Sequence, residues 1–129
     1  MQNHLDLNKE QFLEFIKLPI DTPLQMLNLL KFKSHVEETG VTGAEQYQAY
    51  MKATVPFFQK SNAKVLFYGS PKFTLIGPQG DLEWDKVLVV EYAKKEDFIN
   101  MITSEGYPSE LRKLALENSR LIFCEPITS

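Results

Sequence analysis

Apolar residues fall into short runs along the chain, and most of these runs are too short to form helices. Residues 24–33 and 84–92 are apolar at nearly consecutive positions, which is typical of strands buried on both faces. Segments that contain glycine or proline separate several of the runs. The pattern predicts strands over residues 24–33, 64–68, 73–76, 84–92 and 120–126.

Apolar side chains that recur every three or four residues predict the helices. An N-terminal helix begins after Asn8, which is a favourable cap residue. A second helix follows Gly43. Two more are predicted, one over residues 95–103 and one that starts at Pro108, because proline suits the first turn of a helix.

After the first helix, the predicted elements follow one another as β-α-β-β-α-β, with an insertion in the middle hairpin and a split second helix. This order is the ferredoxin-like arrangement, an α+β sandwich. We expect a single domain over residues 1–129, with a helical extension at 1–20 and the ferredoxin-like core at 21–129. Helices cover one face of such a sheet, so strands that are apolar on both faces need a second cover. In a chain of this length only another copy can supply it, and the sequence predicts a homodimer.

Charge and composition exclude several classes of partner. The net charge is -3 and the 14 basic residues are scattered, so we expect no binding to nucleic acid or to an anionic membrane surface. No apolar run approaches the ~20 residues that span a bilayer. The first residues lack a basic region followed by an apolar stretch, so we expect a cytoplasmic protein. The single cysteine, Cys124, is expected to be a buried small hydrophobe.

Five segments spread over the chain are together similar to one known family. They are Leu27 through Phe32, Tyr47 through Pro56, Trp84 through Tyr92, Phe98 with Met101, and Leu116 through Leu121. They resemble a bacterial domain-of-unknown-function family of the dimeric α+β barrel superfamily, and the resemblance extends over residues 21–124. It implies a homodimer whose two four-stranded sheets close into a barrel, with a small cavity between sheet and helices in each subunit.

The wider superfamily that this resemblance implies has several functions, and the fold alone does not choose among them. It includes cofactor-free monooxygenases, muconolactone isomerase-like enzymes, haem proteins and ligand-sensing domains. Haem-degrading relatives use an asparagine and a tryptophan that Asn28 and Trp84 resemble in placement, with a histidine on the following helix. Residues 95–103 contain no histidine, and the histidines and carboxylates elsewhere form no cluster with metal-ligand spacing. We therefore expect no cofactor and no metal.

Four residues are the candidate catalytic groups. Asn28 lies within a central strand, so its amide must find hydrogen-bond partners, either a ligand oxyanion or groups of the protein itself. Trp84 is a candidate to stack on a flat substrate, and its alternative is packing in a core or interface. Tyr92 and Arg112 are candidates to polarise the substrate, and the alternative for Arg112 is a surface ion pair.

The same pocket is predicted to bind substrate through four further residues, on the second helix and just before the fourth. These are Tyr47, Tyr50, Met51 and Tyr107. Two functional hypotheses follow. In the first, the protein is a cofactor-free enzyme, monooxygenase or isomerase-like, that acts on a small molecule. In the second, it is a non-catalytic domain that binds a small molecule or serves dimeric interactions.

Overall fold

The computed structural model describes residues 3–80 and 82–127 of the chain. Its helices and strands follow the predicted β-α-β-β-α-β order with a split second helix, and the extra helix comes first. The elements are α1 (Lys9–Lys17), β1 (Leu24–Phe32), α2 (Gly43–Lys60), β2 (Lys64–Gly69), β3 (Lys86–Tyr92), α3 (Lys95–Ile102), α4 (Ser109–Ala115) and β4 (Leu116–Cys124).

The four strands form one antiparallel sheet with the order β2-β3-β1-β4. Strand β1 is central, and Asn28 lies between Leu88 of β3 and Leu121 of β4 in the register. The strand order and the helices between the strands confirm the predicted ferredoxin-like α+β fold.

The helices cover one face of this sheet. Every second residue of β1 is buried beneath them, from Leu24 to Leu30, because side chains alternate between the two faces of a strand. Phe98 and Met101 of α3 pack onto the same core. Phe15 of α1 extends the core, with its ring edge-on to Phe98 at 5.9 Å between centroids.

The opposite face, here called the open face, has no helix over it in the described part of the chain. It is apolar along its centre, where Leu27 and Leu29 of β1 pair with Val89 and Val87 of β3. Phe67 on β2 is 55% exposed and belongs to this face. The two-sided apolar character predicted for β1 and β3 is therefore present.

The start of α2 is fixed tightly against the end of β1. The Thr42 side chain accepts a hydrogen bond from the Glu45 backbone N–H at 3.1 Å, and the Glu45 carboxylate accepts one from the Thr42 N–H at 3.0 Å. The backbone of Gly43 comes so close to Lys33 that a Cβ atom would lie 2.3 Å from the Lys33 carbonyl oxygen. Only glycine fits there, and this contact sets the position of α2 on the sheet.

Three local predictions were wrong. Residues 73–76 form no strand, and Leu75 and Ile76 are almost fully exposed. Strand β4 begins at Leu116 rather than at residue 120, because Leu116 already pairs with Phe32. Cys124 is exposed rather than buried, since it pairs with Gln25 on the open face.

Candidate functional site

A cavity of about 360 Å³ lies between α2 and the helix-covered face of the sheet. One side of α2 forms a wall, β1 and β3 form the floor, and Met101 and Tyr107 close the third side. A volume of this size is within the range of small-molecule pockets. The cavity is the candidate site, and its two ends differ in chemistry.

The inner end of the cavity is polar. Asn28 is 8% exposed there, and its side-chain nitrogen donates to the Met26 carbonyl at 3.4 Å and to the Leu88 carbonyl at 3.5 Å. Both distances lie beyond the usual range for N–H···O bonds, so the bonds are weak. Asn28 is thus a buried amide that the protein satisfies only loosely.

Arg112 reaches Asn28 from α4. Its guanidinium donates to the Asn28 side-chain oxygen at 3.4 Å, although the two residues are 84 positions apart. No carboxylate of the described residues lies within ion-pair distance of this guanidinium. Arg112 is not among the residues that line the cavity, but it contacts Asn28, which is one of them.

Four tyrosines surround the inner end and the side wall: Tyr47, Tyr50, Tyr92 and Tyr107. The Tyr50 and Tyr107 hydroxyls share a hydrogen bond of 2.5 Å. Burial raises the pKa of all four phenols, that of Tyr107 to about 12. The nearby Arg112 guanidinium lowers the pKa of Tyr47, but by less than burial raises it. The tyrosines are consequently neutral hydrogen-bonding groups at physiological pH.

The mouth of the cavity opens between α2 and β2. Val55 is 47% exposed there, Val65 is 44% exposed, and the exposed Gln59 lies one turn beyond Val55. Two of these three side chains are apolar. The cavity therefore has a mainly apolar entrance and a polar group, Asn28, at its inner end.

Comparison with solved structures identifies a close relative. The chain is 34% identical to the RPA0582 protein of Rhodopseudomonas palustris, a protein of unknown function, over 99% of this chain and 100% of that one, with a TM-score of 0.88. The methylated form of RPA0582 gives a TM-score of 0.89 at the same identity, over 99% and 98% of the two chains. The chain belongs to the RPA0582 family.

A more distant structural neighbour shares the fold of the RPA0582 family. It is a candidate antibiotic biosynthesis monooxygenase from Bacteroides thetaiotaomicron VPI-5482, 15% identical, with a TM-score of 0.55 over 84% of this chain and 92% of that one. A likeness at this identity shows the ferredoxin-like fold alone. No family model and no curated protein matched the chain.

Six of the eight residues predicted for the site line the cavity of this RPA0582 family member. They are Asn28, Tyr47, Tyr50, Met51, Tyr92 and Tyr107. Trp84 lies apart from the cavity, because it precedes β3 and packs with Arg120, whose guanidinium is 5.3 Å from the indole ring centre. Arg112 contacts Asn28 rather than the cavity itself.

Several lining residues had no chemical signal in the sequence. Val65, Leu88 and Val90 are ordinary strand residues, and only the pairing of β2 with β3 brings them together. Thr54 and Phe58 belong to the amphipathic pattern that predicts α2, but no feature of the sequence assigned them to the site together with Tyr47.

The described residues contain no group of three or more histidine, cysteine or acidic side chains that could hold a metal ion. The cavity lining likewise contains none of these residue types. No described helix combines the length and the apolar character needed to cross a bilayer. The chemistry available in the cavity is hydrogen bonding by amide and hydroxyl groups, next to one guanidinium charge.

Proposed function

We propose that this protein is a cofactor-independent enzyme that oxygenates or isomerises a small compound with a phenolic or carbonyl oxygen. The observation that carries the proposal is the loosely bonded amide of Asn28 at the inner end of the cavity, with the Arg112 guanidinium 3.4 Å from its oxygen. A ligand oxygen that accepts from the Asn28 nitrogen would replace two long hydrogen bonds with one of normal length.

The catalytic effect would be electrostatic. Enolate and phenolate forms of such a ligand carry negative charge on the oxygen that faces Asn28, and donors aimed at that oxygen lower the barrier to its formation. Arg112 is a positioning residue in this proposal. Its guanidinium orients the Asn28 amide and places a positive charge next to the amide oxygen. A carboxylate beside Arg112 would cancel that charge, and none of the described residues provides one.

For oxygenation, the atoms balance with dioxygen alone. α-Naphthol and one dioxygen molecule give naphthoquinone and one water. A ring C–H bond breaks, a C=O bond forms with one oxygen atom, and the second oxygen leaves as water with the ring hydrogen and the phenolic hydrogen. The four electrons that the ring loses reduce dioxygen. The phenolic proton passes first to water, because no lining residue is a base near neutral pH.

The remaining predicted residues have supporting roles in this proposal. Tyr47 and Tyr50 form the wall at the inner end, and Tyr92 and Met51 bound the substrate further along the cavity. Tyr107 holds Tyr50 through their shared hydrogen bond. Trp84 has no part in it, since it packs with Arg120 outside the cavity.

The test is ligand binding and turnover by the Asn28→Ala variant. We expect the wild-type protein to bind α-naphthol in calorimetry and to bind naphthalene at least tenfold more weakly, which corresponds to about one lost hydrogen bond. Asn28→Ala should lose that preference while its thermal unfolding remains cooperative. Dioxygen consumption with α-naphthol should fall in the same variant. Retained preference and retained turnover in Asn28→Ala would contradict the proposal.

A second candidate, a non-catalytic small-molecule-binding protein, is favoured by one observation. The cavity lining has no histidine, cysteine, aspartate or glutamate, the usual general acids and bases, and its tyrosines are held neutral by burial. This candidate predicts the same binding preference for α-naphthol with no dioxygen consumption and no change in the bound compound, which mass spectrometry of the extracted ligand would detect.

We also propose that two copies of the chain pack through their open faces. Leu27, Leu29, Val87 and Val89 give this face a continuous apolar centre, and contiguous apolar patches on soluble proteins mark interaction surfaces. The apolar surface extends to the edge strands through Phe67 of β2 and Ile122 of β4. One end of the face is polar, where Lys31 of β1 pairs with Asn118 of β4.

A further inference from the structure

We infer that the ligand of the cavity is an elongated amphiphile, with a hydrogen-bonding head and an apolar tail, and that it binds head first. This inference rests on the proposed small-molecule function and names the class of compound. It follows from the distribution of polarity and from the shape of the cavity.

Polarity in the cavity runs opposite to that of an ordinary surface pocket. The buried inner end presents the weakly bonded Asn28 amide, whereas the exposed mouth presents Val55 and Val65, at 47% and 44% exposure, with Gln59 as its polar side chain. A ligand that entered with its polar group outward would leave the Asn28 amide without a good partner and would keep both valines in water. A ligand with a polar head inside and an apolar tail at the mouth satisfies both ends.

The shape of the cavity also favours a long ligand. Its lining residues on α2 run from Tyr47 to Gln59, which is about 18 Å along a helix axis. On β3 they run from Leu88 to Tyr92, about 13 Å along a strand. The lining therefore runs along much of α2.

Two flexible side chains line the cavity between its inner end and its mouth. Met51 lines it from α2 and Met101 from α3. Thioether side chains have several rotatable bonds and adapt to variable apolar partners. They suit an alkyl tail, whose conformation varies, better than a rigid ring system.

A series of para-alkylphenols tests the inference, since these probes share one head and differ only in tail length. In calorimetry, affinity should rise from para-ethylphenol to para-butylphenol and para-hexylphenol. The rise should reach up to roughly fourfold per methylene, the factor that about 0.8 kcal/mol per buried CH₂ gives. α-Naphthol, which has the head without a tail, should bind more weakly than para-hexylphenol.

Matched variants on β2 locate the tail. Val65→Thr keeps the shape of the side chain and replaces one methyl group at the mouth with a hydroxyl. It should weaken the binding of para-hexylphenol several-fold and leave the affinity for para-ethylphenol unchanged. Leu66→Thr is the control, because Leu66 is similarly exposed, at 43%, but does not line the cavity. Val55→Thr on α2 is a second mouth variant with the same expected result, and thermal melts of each variant check that it is folded.

The binding data distinguish a failure of the amphiphile inference from a failure of the proposed function. If α-naphthol and the alkylphenols all bind with similar affinity, or if Val65→Thr and Leu66→Thr behave alike, the elongated amphiphile is wrong and the proposed function stands. If neither α-naphthol nor any alkylphenol binds, both proposals are wrong.

Discussion

The hydroxyl groups of Tyr50 and Tyr107 lie 2.5 Å apart and share one hydrogen bond. Tyr50 belongs to α2, and Tyr107 belongs to the segment between α3 and α4. Their rings also meet edge to face, with centroids 6.3 Å apart. This pair therefore ties the wall of the cavity to the chain segment that closes its third side.

Removing either hydroxyl of this pair leaves the other without its partner. We expect Tyr50→Phe and Tyr107→Phe each to lower the free energy of unfolding by about 1 kcal/mol, and the double variant to cost less than the sum. Denaturant unfolding of the four proteins measures this coupling. Tyr68→Phe is the control, since Tyr68 is 44% exposed and its change should stay within about 0.5 kcal/mol. Additive costs would show that the hydrogen bond contributes nothing.

The buried tyrosines make stability depend on alkaline pH. Burial raises the pKa of Tyr107 to about 12 and raises that of Tyr47, Tyr50 and Tyr92 as well. An unfolded tyrosine ionises near pH 10, so above that pH the unfolded chain loses protons that the folded chain retains. The free energy of unfolding is expected to be insensitive to these groups below about pH 9 and to fall above about pH 10.

Each such tyrosine contributes a slope of up to about 1.4 kcal/mol per pH unit. Denaturant unfolding at several alkaline pH values measures the slope, and Tyr107→Phe should make it shallower. Tyrosinate absorbance should appear together with unfolding. If most of the tyrosines ionised near pH 10 in a protein that stayed folded, the burial argument would be wrong.

Gly43 has no room for a side chain. A Cβ atom would lie 2.3 Å from the Lys33 carbonyl oxygen and 2.6 Å from the Ala115 carbonyl oxygen, and both are backbone atoms that cannot turn away. Gly43→Ala should lower the free energy of unfolding by roughly 3 kcal/mol or more. Gly40→Ala is the comparison, because its Cβ would contact nothing within 4 Å and only the left-handed φ of 75° opposes it. Thermal melts should rank Gly43→Ala well below Gly40→Ala, and equal melts would refute the clash.

A charge at the centre of the open face should separate the proposed dimer. Val89 lies between Leu27 of β1 and Phe67 of β2 in the register. We expect light scattering at micromolar concentration to give a dimer mass for the wild-type protein and a monomer mass for Val89→Lys, since an unpaired buried charge opposes association. Leu13→Lys on α1, where Leu13 is 47% exposed, should remain dimeric. A monomeric wild-type protein would contradict the proposal.

The sequence was sufficient to predict the fold because its strongest signals are local. The apolar runs around Leu27 and Val89 and the helical spacing after Gly43 predicted β1, β3 and the start of α2 within a residue or two of their observed bounds. The strand predicted at 73–76 failed because a β-forming composition does not supply a partner strand. At Leu116 the helical stripe of α4 continues into β4 without a break, so spacing alone could not separate them.

The candidate site was less predictable, because its geometry depends on sheet faces and on distant contacts. Side chains of α2 point to one side at known spacing, so Tyr47, Tyr50 and Met51 could be assigned to the cavity together. Trp84 precedes the first paired residue of β3, and alternation does not fix the direction of a side chain outside the strand. Arg112 and Asn28 are 84 positions apart, and no spacing of residues around either of them predicts their contact.

The separation of Asn28 and Arg112 along the chain affects how the stability of the protein would respond to a ligand. Asn28 and Arg112 meet only when two segments 84 positions apart have both folded, so no fragment shorter than residues 28–112 contains both groups of the inner end. A compound that binds there binds the native state alone and raises the free energy of unfolding with its concentration, by about 2.7 kcal/mol at a hundred times its dissociation constant. The abundance of the folded protein in a cell would then follow the supply of that compound.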